Sequence, residues 1–265
     1  MSEECPNDTE QEIQQADAFK KLSELPDDHA HAAVVDYPWQ FEIQNRSGRY
    51  EYRGNPRGRG EGDRDPDHED TMFEMADDEA VTGVLAELSR VLVDGAWIIF
   101  MADDRFQDVV RNGMRDVTGT IFRRNWAWTP ESMGMGYYGR VDHYPIPVAT
   151  VGETDRYVSD RPTLFRVPRG RQTDYPTGKP IKLYRELLES PVIQEGERLL
   201  EPFCGSGPGA AVAAERGLSY WGCDVDVDAV EAARSHFNQD RLAAYADGGN
   251  CSLHTGTKQT GGEER

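Results

Sequence analysis

Apolar residues fall along this chain in two alternating patterns, short continuous runs and longer stretches with helical spacing. The last third is the most regular. Arg198 to Glu201 and Ser219 to Val225 are compact runs that predict strands, while Lys179 to Leu188, Gly209 to Arg216 and Val227 to Phe237 predict helices. Strands without polar alternation are covered on both faces, and strands alternating with helices of this length predict a parallel sheet with helices on both sides. The same grammar recurs upstream. His31 to Asp36 predicts a buried strand with Asp36 at its carboxyl end, stopped by Tyr37-Pro38 because the residue before a proline is pushed to extended geometry. Val81, Val84, Leu85, Leu88, Val91 and Leu92 share one helical face within Ala76 to Leu92, and Asp94-Gly95 ends that helix. A strand over Ala96 to Met101, a helix over Asp104 to Met114 and a strand or strand pair over Gly119 to Thr129 follow.

Several segments lack either pattern. Residues 1–30 are polar and acidic and are expected to form a flexible leader, and residues 239–265 a largely disordered tail, leaving residues 31–238 as the ordered domain. Within that domain, residues 40–75 are rich in Gly, Asp, Pro and arginine (Arg46, Arg49, Arg53, Arg57, Arg59, Arg64) and predict a long mobile loop. It reads either as a solvated excursion or as a flap closing on a phosphate backbone. Residues 130–175 predict an irregular insertion around a strand near Ile146 to Val151.

Composition narrows the classes. A length of 265 residues suits one α/β domain. No apolar run approaches membrane-spanning length and no basic segment leads into an apolar one after Met1, so a soluble, intracellular protein is expected. The cysteines Cys5, Cys204, Cys223 and Cys251 form no C-x-x-C pair and the histidines supply no zinc-type spacing, so reduced thiols and no metal are expected. His29 and His31 read as solvated residues rather than half a metal site. The net charge is −19, and only Lys20, Lys21, Lys179, Lys182 and Lys258 among 29 basic residues are lysine, a balance like that of halophilic proteins from a salty cytoplasm. An acidic surface repels phosphate at ordinary ionic strength, but at ~1 M salt the Debye length is about 3 Å, and local arginines then decide whether a polyanion binds.

The chemistry concentrates at two strand ends. Leu199-Leu-Glu-Pro-Phe-Cys-Gly-Ser-Gly207 is a strand running into a glycine-rich turn and a helix, where Gly205 and Gly207 let the backbone approach a ligand and the helix start offers unpaired N–H groups. The next strand ends at Asp224, placing a carboxylate where a ribose diol would lie. Gly205, Gly207 and Ala210 also satisfy a dinucleotide fingerprint, so an NAD-dependent oxidoreductase is a competing reading. Glu201 weighs against it, because an acid there disfavours a pyrophosphate and suits the cationic methionyl end of S-adenosylmethionine. A dinucleotide fold also normally opens with this unit.

Glu201-Pro-Phe-Cys-Gly-Ser-Gly207 resembles the D-P-F-x-G-x-G cofactor motif of S-adenosylmethionine-dependent DNA amino-methyltransferases, and Gly222-Cys-Asp-Val-Asp226 resembles their G-x-D-x-D segment. Tyr175-Pro-Thr-Gly-Lys-Pro180 is similar to their P-T-x-K-P element, which implies that Thr177 and Lys179 help enclose the methionine part of the cofactor. Asp36-Tyr-Pro-Trp39 resembles the catalytic D-P-P-Y/W tetrapeptide, with Tyr37 where proline is usual. Leu88 to Ala96 resembles a helix-turn-strand segment R-V-L-x-x-G-G, and Asn125-Trp-Ala-Trp128 a strand ending in W-x-K, without its lysine. With the catalytic tetrapeptide first and the cofactor loop last, the order matches the permuted subclass over residues 31–238. The resemblance implies a Rossmann-like α/β methyltransferase fold with a mostly parallel twisted sheet, and Glu201, Phe203, Cys204, Gly205, Gly207 and Asp224 around the cofactor.

The tetrapeptide fits the reaction that this resemblance implies. An exocyclic amino nitrogen is a poor nucleophile because its lone pair is delocalised into the base; acceptors for its two N–H bonds localise that pair and stabilise the charge developed in transfer. The Asp36 side chain and the Tyr37 carbonyl are assigned these roles, Pro38 restrains Tyr37, and Trp39 stacks on the flipped base. Asp36 favours adenine N6 over cytosine N4 by the same resemblance, with double-stranded DNA the expected partner and RNA open. Residues 130–175, with Tyr137, Tyr138, Arg140, Arg156, Arg161, Arg166, Arg169 and Arg171, are the candidate target-recognition region, or else a solvated loop whose arginines pair with surface acids. A decayed, non-catalytic nucleic-acid-binding module is a third reading, resting on Tyr37 and the missing lysine. The recognition sequence and oligomeric state are not encoded in any motif.

Overall fold

The computed structural model describes residues 10–37, 42–44, 50–52, 78–102, 106–133, 139–169 and 178–246. The elements in chain order are β1 (Gln11–Gln15), α1 (Ala18–Glu24), β2 (Ala30–Asp36), β3 (Glu42–Gln44), β4 (Tyr50–Tyr52), α2 (Asp78–Val91), β5 (Leu92–Met101) and α3 (Gln107–Asp116). Then come β6 (Thr120–Thr129), β7 (Tyr144–Val151), β8 (Leu164–Arg166), α4 (Ile181–Leu187), β9 (Arg198–Glu201), α5 (Pro208–Glu215), β10 (Ser219–Asp224) and α6 (Val227–Ala246).

Eight strands form one sheet in the order β1-β10-β9-β2-β5-β7-β6-β8, and β3 and β4 pair as a separate antiparallel ribbon. Within the eight, β7 alone runs against its neighbours β5 and β6, and every other pairing is parallel. Strand alternation divides the core cleanly. Ala32 and Val34 of β2 and Trp97 and Ile99 of β5 face a layer containing α4, α5 and α6. Ala33, Val35, Ile98 and Phe100 face the opposite layer, which contains α1, α2 and α3. Burial on both faces explains why the central strands read as continuous apolar runs.

Several expectations are corrected. Residues 11–24, expected to belong to a flexible leader, form β1 and α1. β1 adds a parallel strand to the sheet edge through β10, and Ala18 and Leu22 of α1 are buried against it. Ile13 is buried as well, so backbone pairing and a few apolar contacts hold a segment whose composition is polar. At the other end, α6 continues to Ala246, past residue 239, the expected start of the tail. The region 130–175 is not simply an insertion, since β7 lies between β5 and β6 and is almost entirely buried. Gly119 to Thr129 contains one strand, β6, rather than a pair. Most of the 40–75 loop, with its arginines, lies outside the described residues; its described parts are β3 and β4.

Candidate active site

β9 and β2 lie side by side and parallel, with Ala32 opposite Leu199 and Ala33 opposite Leu200. From β9 the chain passes through α5 in one helix layer to β10, and from β2 through α2 in the other layer to β5. Adjacent parallel strands whose connections leave to opposite sides open a crevice at their carboxyl ends, the usual ligand position in such sheets. The turn from Phe203 to Gly207 follows β9, and Asp36 ends β2, so the two sequence-predicted centres meet at this crevice.

The glycine turn is built from backbone contacts. The Gly207 N–H donates to Cys204 O at 2.9 Å, and the Cys204 N–H to Cys223 O at 2.9 Å. Gly205 has φ +49° and Gly207 φ +75°, both in the region that disfavours side chains. They serve different ends. A Cβ on Gly207 would stand 2.5 Å from the Ala233 Cα, so that glycine lets α6 approach, whereas a Cβ on Gly205 would enter open space. Pro208 begins α5, where its missing N–H costs nothing.

Asp224 braces this turn. Its carboxylate accepts from the Gly205 N–H and the Asp226 N–H, each at 2.9 Å. Burial, and to a smaller degree the Asp226 charge, raises its pKa, while the backbone N–H groups of Asp226, Gly205 and Val225 pull it back. A carboxylate offers about four acceptor sites, so the brace still leaves capacity for a ligand hydroxyl. Cys204 is buried, and burial raises its thiol pKa, which makes it a wall of the crevice rather than a nucleophile.

Glu201 corrects an expectation. It shares strand parity with Leu199, which directs it beneath α5, and its carboxyl is fully buried instead of facing the crevice. Two glycines make room for it: a Cβ on Gly209 would collide with the carboxyl, and one on Gly222 would stand 2.7 Å from the Tyr220 hydroxyl. That hydroxyl donates to Glu201 Oε2 at 2.5 Å, and Oε1 has no hydrogen-bond partner among the described residues. Burial pushes the Glu201 pKa up to about 8, against the opposing pull of the Tyr220 and Tyr184 hydroxyls.

On the β2 side, Asp36 is about one-quarter exposed and forms an ion pair through Oδ2 with the Lys179 ammonium, just ahead of α4. The Tyr37 ring is buried, with its centroid 5.0 Å from that of Phe203 and 6.4 Å from that of Phe100. Tyr37 therefore fills core with its side chain. Pro38, Trp39 and Thr177 lie outside the described residues.

The N-terminal segment also reaches the site, which the sequence reading missed. Ala16 N–H donates to Asp224 O at 2.9 Å, and the Phe19 ring meets the Phe203 ring edge-on at 6.3 Å. Asp17 caps α1 by accepting from the Lys20 N–H. The signal available was Asp17 ahead of the Phe19 to Leu25 stretch, a helix start inside the supposed leader.

The candidate recognition arginines divide. Arg156 is committed to Glu197 through two hydrogen bonds of 2.8 and 2.5 Å, and Arg161 to Leu187 O and Glu189. Arg140 donates to Met133 O at 3.0 Å, while Arg169 donates to the Tyr144 hydroxyl at 2.6 Å and lies over the Trp128 ring. Arg166 ends β8, which runs parallel to β6, so it lies at the same sheet end as Asp36. Tyr137, Tyr138 and Arg171 lie outside the described residues. A separate cleft of about 470 Å³, lined by Trp97, Arg123, Trp126 and Glu153 among others, contains none of the predicted catalytic or cofactor residues. Among the described residues no group of side chains could hold a metal ion, and no helix is long and apolar enough to cross a membrane.

A mostly parallel α/β sheet with a glycine turn and an acid converging at the switch point defines a Rossmann-like fold. No family model and no curated protein sequence matches the chain. Solved structures do. The PvuII DNA methyltransferase, described as cytosine-N4-specific, aligns at a TM-score of 0.64 and 11% identity over 89% of this chain and 92% of its own. The M1.HpyAVI–SAM complex aligns at 0.61 and 15% identity over 86% and 99%. A candidate DNA modification methylase of Thermus thermophilus, complexed with S-adenosyl-L-methionine, aligns at 0.59 and 14% identity over 88% and 96%. The chain thus has the Rossmann-like fold of S-adenosylmethionine-dependent methyltransferases.

Proposed function

We propose that this chain is a DNA methyltransferase that moves a methyl group from S-adenosylmethionine to the exocyclic N6 of adenine in double-stranded DNA, after the base is flipped from the helix. One observation carries the reading: Asp36 at the end of β2 and the glycine turn at the end of β9 border the same crevice. The residues fit the cofactor. Open space beside Gly205, a braced carboxylate at Asp224 and the aromatic wall of Phe203 and Phe19 suit a nucleoside with a charged tail. Glu201 would act from beneath the turn.

S-adenosylmethionine supplies an electrophilic methyl on a sulfonium. Asp36 and the Tyr37 carbonyl accept the N–H bonds of the target amine, which directs the nitrogen lone pair at the methyl carbon. When bound, the cofactor would give up that methyl to the nitrogen, with the carbon–sulfur electron pair left on sulfur. The nitrogen then releases a proton to water. Trp39 stacks on the flipped base. Arg140, Arg166 and Arg169 are assigned to DNA contact, while Arg156 and Arg161 hold the fold. A second reading, transfer to cytosine N4, is favoured by the similarity to the PvuII enzyme.

Transfer of radiolabelled methyl to unmethylated DNA in high salt, followed by mass analysis of the modified bases, tests both. N6-methyladenine is expected; N4-methylcytosine would replace the first reading with the second, and no product would leave a binding module. Asp36→Ala is expected to lower transfer by about 10²–10³-fold with cofactor affinity nearly intact. Asp224→Ala is expected to weaken the cofactor about tenfold, the loss of one charge-assisted hydrogen bond and its brace. Equal loss of cofactor affinity from both variants would contradict this division.

A further inference from the structure

Asp36 must present a free oxygen to the target amine, yet its carboxylate is already engaged. Lys179 Nζ pairs with Oδ2, and Oδ1 makes no hydrogen bond with the described residues. The lysine is firmly placed. It precedes the Pro180 cap of α4, and Leu183, Tyr184 and Leu187 of that helix are fully buried. It also comes from a distant part of the chain, so the contact joins the two halves of the crevice.

The residue type is informative. Lysine is scarce here, with five among 29 basic residues, so arginine is the usual cation of this chain. An arginine fork tends to engage both oxygens of a carboxylate, whereas an ammonium is a point donor that can hold one. We infer that Lys179 is a positioning residue: its ammonium fixes the Asp36 carboxylate by Oδ2 so that Oδ1 is turned to the amine of the target base. The inference rests on the methyltransferase reading and adds a role for a lysine that the family resemblance places around the cofactor. It also assigns a cost to the replacement of lysine by the residue this chain otherwise prefers.

The experiment compares wild type, Lys179→Met and Lys179→Arg for cofactor dissociation constant, DNA KM, kcat and melting temperature. For Lys179→Met, kcat is expected to fall about 10²-fold, the usual loss when a reacting group is misplaced by about 1 Å, with the cofactor constant and KM within about threefold of wild type. Lys179→Arg keeps the charge and is expected to lose kcat as well, because its fork covers Oδ1. A role in charge or folding alone predicts the opposite, full rescue by arginine, and that result would overturn the inference. So would a Lys179→Met variant whose cofactor affinity falls as much as its rate, which would make Lys179 a cofactor ligand. A melting temperature unchanged in both variants separates these outcomes from misfolding. Absence of both cofactor binding and transfer in the wild type would overturn the methyltransferase reading, and this inference with it.

Discussion

Glu201 shows how an acid at a strand end can be buried beneath a glycine turn instead of facing the crevice. Its carboxyl lies in a recess made by two glycines, hydrogen-bonded to a tyrosine, with its pKa raised by burial from 4.5 to about 8. Below pH 4.5 the acid is protonated in folded and unfolded chains and contributes no pH dependence. Between about 4.5 and 8 the unfolded chain ionises while the folded chain keeps the proton, so unfolding releases a proton and stability falls as pH rises. Above about 8 both forms are ionised and the slope disappears. Glu201→Gln is therefore expected to melt with less pH dependence than wild type across that window, and parallel melting curves for the two proteins would contradict the burial argument. From sequence, an acid two residues before Phe203 reads as a ligand contact, because position along the chain gives the strand end but not the face. Parity with Leu199 carried the missing information.

At the scale of elements, legibility follows burial. β2, β5, β9 and β10 are apolar on both faces, so their patterns survive without any knowledge of neighbours. β1 does not, because Gln11-Glu-Ile-Gln-Gln15 has one apolar residue and draws its order from pairing with β10. α6 outruns its expected end because Asn238, Gln239 and Asp240 interrupt the apolar spacing without breaking the helix. The Asp36 to Trp39 tetrapeptide and the glycine loop after β9 are readable as motifs, whereas the Lys179 contact with Asp36 depends on packing between distant segments. If β1 and α1 are integral, Leu22→Ala should cost about 2–5 kcal/mol in denaturant unfolding, as for other fully buried leucines. A loss below about 1 kcal/mol would return this segment to the status of a loose leader.

For the whole molecule, 48 acidic residues against 29 basic ones leave a charge of −19 that repels itself in dilute buffer. Raising salt from about 0.1 M to about 1 M shortens the Debye length from about 10 Å to about 3 Å and screens that repulsion. The melting temperature is expected to rise by about 5 °C or more over this range, roughly the effect of 1–2 kcal/mol in a chain of this size. A flat or falling curve would mean that the acids are locally compensated. Local pairs such as Arg156 with Glu197 are too few among the described residues to reverse the expectation.

The partnership of β1 with β10 bears on how the protein is made. Their paired residues, Gln11 with Tyr220 at one end and Gln15 with Asp224 at the other, are separated by most of the polypeptide. At roughly 5–20 residues per second, a ribosome needs about ten to forty seconds to supply the second strand after the first. Until then the nascent segment carrying Asp36 has no glycine turn beside it. The crevice is thus a late product of translation, and a chain released early would lack it.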